Sequence, residues 1–118
     1  MPTTSTRRGQ VVLVRFPNSD LVTYKNRPAL VVQDENVQTG LDQRLVVLIT
    51  SNLDRKGVTR IRVNKNSAEG QQMGLETDSV IVADNVATIP RVAIYTAIGT
   101  CPLMGDVSRS LKQILGLN

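Results

Sequence analysis

Arg27 stands immediately before Pro28, and a residue that precedes proline is driven into an extended conformation. This arginine is therefore expected at the mouth of a strand. A guanidinium there suits bidentate contact with phosphate oxygens and stays protonated at physiological pH; a solvated strand end is the plainer account. Thr50-Ser51-Asn52 brings two hydroxyls and an amide to the point where the apolar run Leu45–Ile49 gives way to polar chain. On spacing alone these three are turn formers. Arg55, Lys56, Arg60 and Arg62 place four cations within eight residues, either a solvated face or a track on which a polyanion lies across Arg27 and Thr50. Tyr24, three residues before Arg27, is an aromatic on which a base can stack. Asp84 interrupts the apolar run Val80–Val86; it orients a base or a partner arginine, or it marks a turn.

The elements that must position these residues are mostly strands. Gln10–Phe16 is β-branched and apolar, preceded by Gly9 and stopped by Pro17-Asn18-Ser19-Asp20, the pattern of a first strand. Ala29–Gln33 forms a second after Pro28, and Arg44–Thr50 a third beyond the polar 34–43 stretch. Thr59–Val63 alternates, with Arg60 and Arg62 on one face, as a half-buried strand does. Ser79–Ala83 and Arg91–Gly99 are two more candidates, and Pro90 breaks a short extended piece between Val86 and Ile89. Only the tail reads as helix. Val107, Leu111, Ile114 and Leu115 share one face, Asp106 is placed to cap the start and Gly116 to stop the end. Short strands with one terminal helix predict a mainly β domain, a small antiparallel barrel or twisted sheet. A hairpin of the second and third strands, centred between residues 38 and 39, sets Arg27 beside Thr50.

Composition then prunes the chemistry. The chain has 118 residues, one domain's length, and is expected to form a single domain over 1–118 with residues 1–8 flexible. At 41% hydrophobic and 20% charged it can bury one core. Histidine is absent and Cys101 is the one cysteine, which excludes serine hydrolase triads, cysteine–histidine pairs, His-ligated zinc and imidazole acid/base catalysis. Catalysis falls to Arg, Lys, hydroxyls or carboxylates, with no cofactor expected and no metal motif among the dispersed carboxylates. Fourteen Lys plus Arg against ten Asp plus Glu leave a formal charge of +4, which favours anionic partners. No apolar run approaches the roughly 18 residues of a membrane span. The polar Met1–Arg8 segment lacks the pattern of a secretory signal. A lone thiol also agrees with a reducing compartment, so the expected location is cytoplasmic.

Taken in order, Arg8-Gly9-Gln10-Val11-Val12, Arg27-Pro28-Ala29-Leu30-Val31-Val32, Leu48-Ile49-Thr50-Ser51, Gly74-Leu75-Glu76-Thr77-Asp78-Ser79-Val80, Thr88-Ile89 and a C-terminal Leu-Gly-Leu resemble the MazF/PemK/Kid toxins of bacterial toxin-antitoxin modules. The resemblance runs over nearly the whole chain. It implies an SH3-like barrel of the kind shared with the gyrase poison CcdB, a homodimer, and metal-independent endoribonuclease activity on single-stranded RNA, neutralised by a cognate acidic antitoxin. Arg27 matches the family's arginine before proline, and Thr50 its catalytic threonine. Ser51 and Asn52 match the polar loop beside them. Asp84 matches an aspartate that the Kid branch uses for catalysis or base recognition, although Val82 stands where that branch has an arginine. Leu21-Val22-Thr23-Tyr24 replaces the family's Gly-Ser-Glu-Gln-like loop.

The resemblance implies attack of a ribose 2′-OH on its own phosphodiester, giving a 2′,3′-cyclic phosphate and a 5′-OH end. Arg27 and Thr50 are the expected catalytic pair, with Ser51 and Asp84 as further candidates for catalysis or base recognition. Asn52, Arg55, Lys56, Arg60 and Arg62 are expected to hold RNA, and Asp20, Tyr24, Lys25 and Asn26 to read its sequence. A non-catalytic CcdB-like poison or nucleic-acid-binding module is the alternative, because a fold does not fix a function.

Overall fold

Gly9 turns the chain at φ +96°, a conformation open to glycine, and delivers it into the first of six strands. The computed structural model describes residues 6–17, 20, 22–54 and 56–117, with Phe16 and Pro17 described through their backbone alone. The strands are β1 (Gln10–Pro17), β2 (Tyr24–Val31), β3 (Gln43–Thr50), β4 (Arg60–Val63), β5 (Ser79–Pro90) and β6 (Ile94–Thr100). Helix α1 (Ala68–Met73) precedes β5 and helix α2 (Met104–Leu115) follows β6. The strands form one sheet in the order β4-β5-β3-β2-β1-β6, with every neighbouring pair antiparallel. Among the described residues no helix is long and apolar enough to cross a membrane.

Val11–Val14, Ala29–Val32 and Val46–Val47 are unbroken apolar runs because this sheet buries both faces. Val11, Leu30, Val47, Ile49 and Ile81 pack with Met73 of α1, Val107 of α2 and Cys101. Val12, Val14, Ala29, Val31 and Val46 lie on the opposite face, covered by Ile89, Ala87, Ile94 and Ala97 from β5 and β6. Period two along each strand sends alternate residues to the two cores. Burial pushes the Cys101 thiol up from its ordinary value, so it packs as a small hydrophobe. Arg8 fastens the N-terminal turn, donating to the Val32 carbonyl and, at 2.6 Å, to Ser108 Oγ of α2.

The hairpin register is the expected one: Ala29 faces Leu48, Leu30 faces Val47 and Val31 faces Val46. Several elements differ from the expectation, and the last strand begins at Ile94, after a short 3-10 turn over Arg91–Ala93. β2 starts at Tyr24, ahead of Pro28, because β1 pairs with it from Pro17–Tyr24 to Val11–Leu30. Tyr24, Lys25, Asn26 and Arg27 are thus strand residues, and Pro28, with no N–H to give, marks where the β2–β3 ladder ends. β5 is one strand where two pieces were expected, since a bulge absorbs Ala83, Asp84 and Asn85 between the Leu48–Val82 and Val47–Val86 pairs. Helix α1 corrects the expectation that only the tail is helical: Ser67 Oγ caps it by accepting from the Gly70 N–H at 3.0 Å. Gly74 closes it in the left-handed region at φ +73°. At α2 the cap position falls on Leu103, and Asp106 sits one turn in, bonded to Arg109 at 2.7 Å.

Candidate active site

Arg27 and Thr50 lie two residues beyond the last β2–β3 pair, where the strands part. A cleft of about 460 Å³ opens at this point, bordered by Lys25, Asn26, Arg27 and Pro28 of β2, by Thr50 and Ser51, and by the 74–77 segment after α1. A smaller cleft of about 150 Å³ adjoins it, and Arg27, Ile49 and Thr50 border both, joined in the second by Val82 and Asn85. Among the described residues the Arg27 guanidinium makes no hydrogen bond or ion pair, so its five donors are available to a ligand. Thr50 is half-buried, and its Oγ1 accepts the Asn52 N–H at 3.1 Å, which leaves the hydroxyl proton to be donated. Asn52 is committed to the loop, its Oδ1 accepting the Asp54 N–H at 3.1 Å.

The basic residues divide into paired and unpaired. Arg60 meets Asp84 at 3.2 Å, with side-chain exposures of 23% and 27%. The pairing has a simple origin: Arg60 lies opposite Val82 in the β4–β5 ladder, two residues before Asp84. Asp84 borders neither cleft. Arg62 donates to Asn64 Oδ1 at 3.2 Å and faces Asp78 at 4.0 Å. Lys56 is exposed and unpaired among the described residues, and Arg55 lies outside them.

Asp20 organises the turn into β2, accepting from the Val22 N–H at 2.9 Å, the Thr23 N–H at 3.0 Å and the Thr23 hydroxyl at 2.9 Å. These bonds, the Thr23 N–H foremost, hold its carboxyl below the ordinary aspartate range. Tyr24 is 57% exposed, and its ring carries the Arg15 guanidinium 5.3 Å from its centroid, a cation–π contact. Lys25 and Asn26 border the main cleft.

The sequence reading missed polar neighbours of the Arg27–Thr50 gap, among them Glu76 in the main cleft and Asn85 in the smaller one. A Ser67 cap followed by Gly74 was a signal for the first. A bulge leaves no comparable local signature for the second. Among the described residues no group of three or more His, Cys, Asp or Glu side chains is placed to hold a metal ion.

The family model for the PemK-like, MazF-like toxins of type II toxin-antitoxin systems matches residues 7–115. The chain belongs to this family. It is 32% identical over 97 residues to the probable endoribonuclease MazF of Mycolicibacterium smegmatis, a match covering 80% of this chain and 84% of that protein. The fold is that of solved MazF structures. The Mycobacterium tuberculosis toxin MazF-mt6 superposes with a TM-score of 0.71 at 23% identity, over 92% of this chain and 98% of that one. A chain of the MazE-MazF crystal structure (Form-II) from Deinococcus radiodurans gives 0.74 at 18% identity, over 97% and 98%. A mycobacterial endoribonuclease in complex with its cognate antitoxin gives 0.71 at 23% identity, over 96% and 97%.

Proposed function

We propose that this toxin-family chain is a metal-independent endoribonuclease that cleaves single-stranded RNA at the Arg27–Thr50 cleft. The observation that carries the reading is an unpaired guanidinium bordering a cleft together with a half-buried threonine hydroxyl. In RNA the nucleophile is internal: the 2′-OH attacks the adjacent phosphorus and the 5′-oxygen leaves, so neither a metal nor a water is needed in this step. DNA lacks that group. Arg27 stabilises the charge that develops on the phosphorane oxygens, and Thr50 donates to a phosphate oxygen; each well-placed donor is worth about 10²- to 10³-fold in rate.

Tyr24, Lys25 and Asn26 hold the bases next to the scissile phosphate, on a turn shaped by Asp20. Asn52, Arg55, Lys56, Arg60 and Arg62 hold the flanking backbone, Ser51 lines the cleft, and Asp84 positions Arg60, 3.2 Å away. A formal charge of +4 fits both RNA and an acidic antitoxin that competes for the same cations. The complexes with antitoxin known for the MazF structures support that partner. The protein acts as a homodimer in the cytoplasm. The deciding experiment incubates long RNA with the purified protein in EDTA. Cleavage by the wild type and its loss in Arg27→Ala, with the circular dichroism spectrum unchanged, support the reading. Intact RNA with the wild type, alongside growth arrest on expression, overturns it in favour of a non-catalytic poison. Sedimentation of the same preparation as a monomer at micromolar concentration removes the homodimer.

A further inference from the structure

Transesterification by a 2′-OH requires a group to accept its proton, and the Arg27–Thr50 pair does not supply one. Guanidinium and ammonium groups have no lone pair to offer, which removes Arg27 and Lys25. Neutral hydroxyls such as those of Thr50 and Ser51 are weak bases. The chain has no histidine. Asp84 is engaged by Arg60 at 3.2 Å and borders neither cleft. One carboxylate remains on the wall of the main cleft: Glu76. Among the described residues it makes no hydrogen bond or ion pair.

Its placement is built from both sides. The chain leaves α1 through Gly74, whose N–H returns to the Gln71 carbonyl at 3.1 Å while the Leu75 N–H returns to that of Gly70 at 3.1 Å. A Cβ at Gly74 would overlap the Ile98 carbonyl of β6, so the turn is seated directly on that strand. Leu75 then packs against the first core. Three residues after Glu76, buried Ser79 donates from Oγ to the Thr77 carbonyl at 2.9 Å. The charged groups sharing the cleft with Glu76 are Lys25 and Arg27 of β2; β3 and β6 present uncharged Thr50 and Ile98. On its own segment Asp78 is turned to the Lys65 N–H, 2.9 Å away, and to Arg62.

We propose that Glu76 is the general base of RNA cleavage, an assignment that rests on the nuclease reading above. The Glu76 carboxylate takes the 2′-OH proton as the O2′–P bond forms and the P–O5′ bond breaks. The leaving 5′-oxygen takes a proton from water, and Glu76 returns its own to solvent. Charge balances without a further reactant. A positioned general base contributes about 10²- to 10⁴-fold.

The test measures single-turnover cleavage of a short RNA containing the wild-type protein's mapped site, in EDTA, as a function of pH. It compares wild type, Glu76→Gln and Glu76→Asp, and measures binding of the same oligonucleotide with a 2′-deoxy sugar at the cleaved position. Glu76→Gln is expected to lose about 10²- to 10⁴-fold in rate. It is also expected to lose the acidic limb of the wild-type pH–rate profile and to bind the deoxy analogue within about threefold of wild type. Glu76→Asp is expected to recover part of the rate together with the limb. Cleavage by Glu76→Gln at near wild-type rate with the wild-type profile overturns the assignment. So does a rate loss matched by an equal loss of binding, or a changed cleavage site at unchanged rate. Wild-type protein that leaves the RNA intact overturns the nuclease reading itself, a result none of the variants can mimic.

Discussion

Asp20 commits its carboxylate to the backbone and hydroxyl of its own turn. Its carboxylate accepts three bonds from the turn it caps, so a group expected to read bases is spent on shaping the loop that leads into β2. Its pKa is depressed in the folded chain. The stabilisation is therefore present above the unfolded value and is lost as pH falls through the folded one. Backbone amide shifts of Val22 and Thr23 followed from about pH 6 to about pH 2 are expected to report the turn loosening only below the ordinary aspartate range. Asp20→Asn is expected to keep the turn and abolish that titration. Arg27 and Thr50 were readable as a pair because the proline after one and the strand end at the other constrain both, and the hairpin register did the rest. Glu76 and Asn85 were not, since each reaches its cleft through a helix stop or a bulge with no period of its own.

At the scale of elements, the strands were readable because apolar runs bounded by Gly, Pro and Asn are a strong signal. The register, assumed to be centred between residues 38 and 39, is the one the β2–β3 ladder adopts. Helix α1 spans six residues, under two turns, too short for a hydrophobic period to emerge. Its position is set instead by glycine at close approaches. A Cβ at Gly99 of β6 would overlap the Met73 and Gln72 carbonyl groups at the end of α1, and backbone cannot yield as a flexible side chain does. Gly99→Ala is expected to cost about 1–3 kcal/mol in urea unfolding, as overpacking does. Because α1 leads into the 74–77 wall of the cleft, the same change is expected to slow RNA cleavage more than it weakens RNA binding. Gly105, with open space around it, is the matched control, and Gly105→Ala is expected to leave both measurements near wild type.

Across the whole molecule, a β-rich domain with both sheet faces buried leaves a cleft with unpaired groups at the end of the sheet where β2 and β3 part. The partition of its cations leads to a further expectation. Lys56 has no partner among the described residues, so Lys56→Ala is expected to lower the salt slope of RNA binding by about 0.7, the value of one phosphate contact on a single strand. The mapped cleavage sequence is expected to stay the same. Tyr24→Ala removes an exposed ring one residue before Lys25 of the cleft wall and is expected to change which sequence is cut. A changed site for Lys56→Ala with an unchanged one for Tyr24→Ala would exchange these roles. The most direct measurement on the central claim replaces the single ribose at the mapped cleavage position with 2′-deoxyribose, in EDTA. The 2′-OH mechanism predicts uncut oligonucleotide at that position, and a 2′,3′-cyclic phosphate end on the product of the unmodified strand. Cleavage of the deoxy-substituted strand at the same bond, or a product lacking the cyclic phosphate, would contradict it.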